Sequence, residues 1–189
     1  MLRLFTEALG VYLLSRMPGA PDTLTVSYAL PGAMPGKDAV NLFLCSLAED
    51  AELRENEKQY ERVGAEWIAV PPPLRLKCTY IVSAWPAGED KEEAALVQSG
   101  LLSAAYALLV SSGTLPSAFI PEPMKAPGLP KPIIALTDNT LAGSPEFWTS
   151  FGCAFRPAFT FSATISIPSA VQDYGYIVEG LDVGYKFGS

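Results

Sequence analysis

Residue types that could carry chemistry are scarce in this sequence. The chain of 189 residues has no histidine and three widely spaced cysteines, Cys45, Cys78 and Cys153. Without histidine neither a Ser-His-Asp nor a Cys-His arrangement can form, and the sequence has no G-x-S-x-G elbow. A zinc site would need a carboxylate as its fourth ligand, which structural zinc sites rarely use. We therefore interpret the cysteines as small apolar residues in a reducing compartment.

Nucleotide and sugar chemistry find no support either. The sequence contains no G-x-x-x-x-G-K-[ST] and no G-x-G-x-x-G motif. Glu92 and Glu93 open a predicted helix, where solvation and the helix dipole explain them, whereas glycoside hydrolysis needs two carboxylates in a cleft. A net charge of −7 disfavours phosphate backbones. We expect a protein that is not an enzyme, with no cofactor, no metal and no nucleic-acid partner.

The composition predicts one domain, with or without an arm, that contacts a partner. The length suffices to bury a core without disulfides or metals. Hydrophobic residues make up 49% and charged residues 17% of the chain, so some apolar surface is expected to meet a partner. Glu7 and Arg16 interrupt the apolar N-terminus, and no run approaches the ~18 uninterrupted apolar residues of a membrane span. We expect a cytoplasmic chain without membrane insertion, or one assembled there into something larger.

A strand followed by a helix forms the predicted centre of the fold. Apolar and polar residues alternate through 74–85, which is typical of a strand with one buried face. The period then changes to that of a helix of roughly 20 residues, with acidic residues in its first turn and Ser111–Gly113 at its end. The residues expected to face inward on the strand are Leu74, Leu76, Cys78, Tyr80, Val82 and Ala84, and those expected to face outward are Arg75, Lys77, Thr79 and Ser83.

The remaining pattern predicts a sheet flanked by further helices. A helix is expected over 2–16, a short helix from Ser144-Pro145-Glu146, and strands over 23–30, 40–47, 133–137 and 158–167. The strands over 23–30 and 40–47 are expected to pair antiparallel. The last strand is expected to face in with Phe159, Phe161, Ala163, Ile165 and Ile167, and out with Thr160, Ser162, Thr164 and Ser166. The fold class is therefore α/β (α+β), with a mixed, mostly antiparallel sheet.

Two connecting segments leave their role open. Residues 49–66 mix acidic residues with Arg54, Lys58 and Arg62, which indicates a solvated connection, a short exposed helix, or an acidic surface for a basic partner. Residues 116–132 hold six prolines, which exclude regular helix and favour a stiff connection over a contact strip.

The C-terminal tail, residues 171–189, is rich in aromatic and β-branched residues but also in glycine. It could be an edge strand of the same fold or an arm that adds as a strand to a partner. We divide the chain into a domain over 1–168 and this arm or edge strand over 169–189. The residues hypothesised to contact a partner are Tyr174, Tyr176, Ile177, Val178, Tyr185 and Phe187.

The order of several short motifs resembles one known family, over roughly residues 1 to 168. It is that of the cap, or tail-terminator, proteins of extracellular contractile injection systems, of the antifeeding-prophage and Photorhabdus-virulence-cassette type. The motifs are Asn41–Leu44, Leu53–Asn56, Pro72–Leu76, Tyr80–Trp85, Phe147-Trp148, and Arg156-Pro157 before Phe159–Phe161. Two departures are the missing histidine at the helix start and the proline-rich segment; the tail matches no motif.

This resemblance implies a structural part rather than an enzyme. Such a cap would form a hexameric ring on the inner tube, stop its growth and hold the last sheath ring, so its partners would be the sheath protein, the tube protein and copies of itself. Two alternatives remain open. One is a small-ligand-binding module in which Trp67, Trp85 and Trp148 line a pocket, and the other is a scaffold unrelated to injection particles.

Overall fold

A computed structural model describes residues 1–169 apart from 20, 33–35, 56, 58, 64–65 and 89, with the backbone alone described at 59, 61, 63 and 66–69. The six tail residues predicted to contact a partner, and nearly all of the predicted arm, lie outside the described residues.

Three α-helices and seven strands make up the described fold. The helices are α1 (Leu2–Arg16), α2 (Lys91–Ser112) and α3 (Pro145–Ser150). The strands are β1 (Thr25–Ser27), β2 (Ala39–Glu49), β3 (Gln59–Val63), β4 (Glu66–Val70), β5 (Leu74–Trp85), β6 (Ile133–Leu136) and β7 (Ala158–Ile167). Five of the strands form one sheet in the order β1-β2-β5-β7-β6, and β3 and β4 form a separate pair.

The main sheet is mixed and mostly antiparallel, as predicted. β5 lies at its centre and pairs antiparallel with β2 on one side and with β7 on the other. β6 pairs antiparallel with β7, while β1 runs parallel to β2. The described residues form one α+β domain. The predicted order of a strand over 74–85 followed by a long helix is confirmed.

The hydrophobic core lies between one face of this sheet and helices α1 and α2. The predicted apolar stripe of β5 is buried there at Cys78, Tyr80, Val82 and Ala84. Opposite it lie the buried residues of the two helices, which are Phe5, Leu9, Tyr12, Leu13, Leu101, Ala105 and Leu109. Because α1 and α2 each present apolar residues at helical spacing to this face, the main core forms between them and the sheet.

Both ends of α2 carry the signals that its sequence predicts. Asp90 is the N-cap, and its carboxylate accepts hydrogen bonds from the backbone N–H groups of Glu92 (2.9 Å) and Glu93 (3.2 Å). Gly113 ends the helix in the left-handed region, with φ of 55°. A residue without a Cβ adopts that conformation at little cost, so the helix stops there.

The predicted strand over 23–30 is wrong in length and in direction. β1 holds only three residues, and its register, Thr25 opposite Ala39, is parallel. Tyr28 and Leu30, apolar residues of the alternating pattern, are 44% and 57% exposed. Alternation reports which face a residue occupies but not the direction of its neighbour, and here the connection returns the chain to the same end of the sheet.

The predicted connection over 49–66 is also wrong in its second half. After a short 3-10 turn at Ala51–Leu53, the chain forms an antiparallel hairpin in which Gln59 pairs with Val70 and Val63 with Glu66. Adjacent charged residues such as Glu61 and Arg62 do not exclude a strand, because main-chain groups make the pairing.

The outward face predicted for β7 is buried instead. Thr160, Ser162, Thr164 and Ser166 are each at most 5% exposed. Three of these hydroxyls bond to segments that lie over this second face: Thr160 donates to Asn139, Thr164 to Asp50, and Ser166 to the Pro130 carbonyl. A buried polar residue is tolerated where it is hydrogen-bonded. The polar residues at every second position of β7 are therefore not exposed. The same correction applies to Arg75 and Ser83 of β5, both of which are buried.

The proline-rich segment packs as a connection along the core. Ile120 and Met124 are buried within it, and Glu122–Lys125 form one 3-10 turn. Phe119 packs edge-on against Tyr12 of α1, with ring centroids 5.0 Å apart. The prolines thus hold an extended path whose apolar residues close one side of the core.

Candidate partner-binding surfaces

The described residues hold no cluster of metal-ligating side chains. No group of three or more His, Cys, Asp or Glu side chains among them could hold a metal ion. All three cysteines are free thiols. Burial raises the pKa of Cys45 and raises that of Cys78 to about 11, so both stay protonated at neutral pH. A protonated, partly or fully buried thiol is a poor nucleophile.

The tryptophans that could have lined a ligand pocket pack in the protein instead. Trp148 is fully buried and donates from Nε1 to the Ala142 carbonyl at 2.9 Å. Trp85 donates to Ser83 and lies under the guanidinium of Arg156, 4.0 Å from the ring centroid. Trp148 and Trp85 belong to one small apolar cluster with Ala39. The side chain of Trp67 lies outside the description.

The outer edge of β2 is the first surface suited to a partner. β1 covers β2 only from Ala39 to Asn41, so the next eight residues, Leu42–Glu49, have β5 as their one strand partner among the described residues. Within this stretch, called the β2 edge below, Leu47 is 52% exposed. Unpaired N–H and C=O groups along a strand are a template for a further strand. The edge also carries a bulge between Leu44 and Ser46.

The opposite edge of the sheet is short and already capped. β6 holds four residues, and the backbone N–H of Ile134 donates to the Gly113 carbonyl at 2.8 Å. The Thr114 hydroxyl bonds to the Pro132 carbonyl just before this strand, at 2.5 Å. These bonds use groups that an added strand would need, so the β2 edge is the more open of the two.

A buried polar cluster lies on the second face of the sheet. Arg75, 4% exposed, donates from Nη1 to the Ser166 hydroxyl at 2.6 Å. Thr164 donates to Asp50 at 2.7 Å, and the Asp50 N–H donates to the Arg75 carbonyl. Among the described residues, the Arg75 Nε has no hydrogen-bond partner. The cluster ties the end of β2 to β5 and β7.

A cavity of about 310 Å³ opens beside this cluster. It is lined by Glu49, Arg54, Glu55, Pro71, Pro72, Pro73, Leu74, Arg75 and Ser169. Glu49 and Arg54 form an exposed ion pair of 3.5 Å at this place. Since two carboxylates and two guanidinium groups balance, the lining favours neither an anion nor a cation.

The outer faces of α1 and α2 form a second candidate surface. The exposed apolar residues of these helices are Leu4, Val11, Leu14, Leu96, Tyr106 and Val110, of which Leu96 is the most exposed at 70%. α2 is also long and apolar enough, with a mean hydropathy of 1.6, to cross a membrane. The sequence-based expectation of no membrane span required an uninterrupted apolar run, and Gly, Ser and Gln interrupt the apolar residues of this helix. A core helix passes the same test, and α2 buries Leu101, Ala105 and Leu109 in the core.

All six predicted interface residues lie outside the described part of the chain, so their role stays a prediction. Sequence reasoning missed the β2 edge, because alternation along a strand does not report where its neighbour stops. One signal could have found it: Pro31-Gly32 and Pro35-Gly36 crowd the segment before β2 and leave little chain for a long partner strand.

Comparison with known proteins relates this fold to two solved structures. The first is the sheath/tube terminator of PVC, an extracellular contractile injection system, in its extended state, with a TM-score of 0.70 and 22% identity over 100% of this chain and 64% of that one. The second is the cap of the anti-feeding prophage, an AFP tube terminating cap, with a TM-score of 0.67 and 19% identity over 96% of this chain and 60% of that one.

These likenesses establish the fold that the chain shares with both proteins. The chain spans less than two thirds of the length of either structure. No curated protein matches it. The Pvc16 N-terminal domain family, by contrast, matches residues 5–174, which is most of the sequence. The chain therefore belongs to the Pvc16 N-terminal domain family.

Proposed function

We propose that this chain is the cap, or tail terminator, of a contractile, phage-tail-like injection particle. In this role it ends the inner tube and anchors the last sheath ring, as a hexameric ring. The observation that carries the proposal is the family match over residues 5–174, together with a fold shared with two proteins described as terminators or caps. The chain would act as a structural part, assembled in the cytoplasm, without a cofactor, without nucleic acid and without insertion into a membrane.

The surfaces of the protein suit such a part. A ring needs a heterologous interface, in which two different patches of each copy meet around a rotation axis. The exposed apolar residues of α1 and α2 offer one patch, because burying exposed leucine and valine stabilises an interface. The β2 edge and the tail offer two strand-forming surfaces.

For the contact with sheath or tube we propose the tail. Its candidate residues are Tyr174, Tyr176, Ile177, Val178, Tyr185 and Phe187. Aromatic and β-branched residues pair well as strands, and an added strand gains main-chain hydrogen bonds along its whole length. Particles made with a chain that lacks 171–189 should lose sheath attachment; unchanged attachment would exclude the tail from this contact.

The cap role itself is tested by electron microscopy of particles from cells with and without the chain. A cap predicts tubes of uncontrolled length, or particles that shed their sheath, when the chain is absent. Particles of normal length with a stable sheath would contradict it. A complete absence of particles would place the chain earlier in assembly and would also count against the proposal.

The ring contact of the helices has its own test. Leu96→Lys places a charge on the most exposed apolar residue of α2, where it costs the fold little because the side chain already meets water. We expect a folded chain, by circular dichroism, that fails to complement cells without the cap. Leu141→Lys is the matched control, since Leu141 is 49% exposed but lies away from both helices. Equal complementation by the two variants would argue against a helical ring contact.

A further inference from the structure

Arg75 of β5 is a buried cation whose hydrogen bonds are incomplete. Its side chain is 4% exposed and donates from Nη1 to the Ser166 hydroxyl at 2.6 Å, while its Nε has no partner among the described residues. Ser166 is a neutral acceptor, and its own proton goes to the Pro130 carbonyl at 3.1 Å. A guanidinium group keeps its charge when it is buried, so this hydroxyl cannot serve as a counter-ion.

The carboxylate of the same buried cluster does not supply the counter-ion either. Asp50 accepts a hydrogen bond from Thr164 at 2.7 Å. Within the described part of the chain, neither Asp50 nor Arg75 takes part in an ion pair. A buried charge is costly unless an opposite charge lies close to it, so a ligand that brought a negative charge to Arg75 would gain binding energy there.

The cavity of about 310 Å³ beside the cluster gives a ligand access to this residue, because Arg75 is part of its lining. The volume is at the small end of ligand sites, which run from roughly 300 to 1,000 Å³. Leu74 and the prolines at 71–73 form an apolar part of the wall. The cavity therefore combines an apolar wall with a buried cation, and few polar groups on an apolar lining are typical of a ligand site.

The charges of the lining balance in number but not in burial. Glu49 and Arg54 are exposed and pair with each other at 3.5 Å, and Glu55 is exposed as well. Water and salt screen exposed charges, whereas a buried charge keeps most of its field. Arg75 consequently decides the sign of the ligand, although the lining as a whole is neutral.

We propose that this cavity binds a carboxylate carried on an apolar body, with the carboxylate on the Arg75 guanidinium. The planar N–H groups of a guanidinium match the two oxygens of a carboxylate. The apolar body would lie against Leu74 and the prolines at 71–73. A phosphate suits the site less well, because its second charge would meet Glu49 and Glu55. The same chemistry is found in a free aliphatic acid and at the carboxyl terminus of a polypeptide.

NMR of the purified full chain, labelled with ¹⁵N and ¹³C, tests the site without altering it. The Nε–H signal of Arg75 is assigned through its couplings along the side chain. We expect 4-methylpentanoate and N-acetyl-leucine to shift this signal at millimolar concentration. N-acetyl-leucinamide, which has the same apolar body without the charge, should leave the signal in place and is the matched control.

The sizes of these shifts also identify the source of the carboxylate. A larger shift with N-acetyl-leucine supports the proposal and indicates a polypeptide terminus, whereas an equal or larger shift with 4-methylpentanoate supports it and indicates a free acid. No shift with either acid overturns the proposal. An equal shift with the neutral amide, or with inorganic phosphate, also overturns it, because the site would then not recognise a carboxylate.

Two variants separate the buried guanidinium from the exposed one. With the Leu74 backbone amide as the reporter, Arg75→Gln should bind the acids at least ~10-fold more weakly than the unaltered chain. Arg54→Gln should bind them within about 2-fold of it, since the exposed Arg54 charge is screened. Equal affinity of all three proteins overturns the role of Arg75. If Arg75→Gln does not fold, the spectra of the unaltered chain still decide the question.

This site is independent of the proposed cap role. Its test uses the isolated chain and needs no particle, so a negative result would leave the proposed function untouched. A failed particle test would equally leave the binding results as they are.

Discussion

Removing the hydrogen bond between Thr6 of α1 and Tyr80 of β5 should change the unfolding free energy in a strongly non-additive way. The Tyr80 side chain is fully buried and stacks on Phe161, with ring centroids 5.1 Å apart. Its hydroxyl lies 2.7 Å from the Thr6 hydroxyl. Since the Thr6 hydroxyl donates its one proton to the Leu2 carbonyl at 3.1 Å, Tyr80 must be the donor to Thr6.

The two single substitutions then differ in cost. Tyr80→Phe removes a donor and leaves Thr6 with its bond to Leu2, so we expect a loss of about 1 kcal/mol of unfolding free energy. Thr6→Val keeps the shape of the side chain but strands the buried Tyr80 hydroxyl, for about 2 kcal/mol. The double variant replaces both polar groups by apolar ones of similar shape and should lose less than about 1 kcal/mol. The coupling between the two sites is then roughly 2 kcal/mol.

Urea denaturation of the four full-length proteins, followed by fluorescence and by circular dichroism, measures the cycle. In thermal unfolding, each kcal/mol corresponds to about 2–4 °C for a chain of this size. A Thr6→Val variant as stable as the unaltered protein would show that Tyr80 finds water in the fold. A double variant that loses the sum of the two single effects would show that the hydroxyls do not interact, and either result refutes the reasoning.

Three further predictions rest on single residues. Asp90→Ala should lower the unfolding free energy by about 1 kcal/mol in urea, because two backbone N–H groups lose their acceptor. Gly100→Ala, in mid-helix with open space around it, should raise the melting temperature slightly, whereas Gly113→Ala at φ 55° should lower it. Burial raises the pKa of Cys78 to about 11 from 9.0. The stability that the protonated thiol contributes is therefore full below pH 9 and is lost as the pH rises toward 11. In urea titrations, Cys78→Ala should reduce this loss of unfolding free energy at high pH.

The elements of the fold were largely readable from periodicity. The helix predicted over 2–16 and the strand predicted over 158–167 match α1 and β7 in their bounds, and the strand and helix around Pro86 match β5 and α2. In α1 and α2 the pattern reflects one apolar face packed on one core, whereas in β5 and β7 polar residues between the apolar ones are buried as well. The acidic residues of its first turn and Ser111–Gly113 indicated the two ends of α2.

Pairing partners and second faces were not readable in the same way. The sequence of Thr25–Ser27 does not indicate that the neighbouring strand runs parallel, because side chains alternate in the same way in parallel and antiparallel pairs. Thr164 and Ser166 belong to a polar stripe, which predicts a face exposed to water. In the fold their hydroxyls instead bond to Asp50 and to the Pro130 carbonyl. Those partners come from distant parts of the chain, which local spacing cannot report.

The candidate surfaces share a property that explains why motifs could not find them. Catalysis needs particular side chains at particular spacings, and such residues leave a trace in the sequence. A strand edge binds through main-chain N–H and C=O groups, which every residue except proline possesses. Leu42–Glu49 has no second strand partner among the described residues because β1 ends at Ser27, opposite Asn41. The exposed leucines of α1 and α2 likewise look like core residues until packing shows which side of each helix is covered. For surfaces of this kind, topology rather than residue type decides which groups a partner can reach.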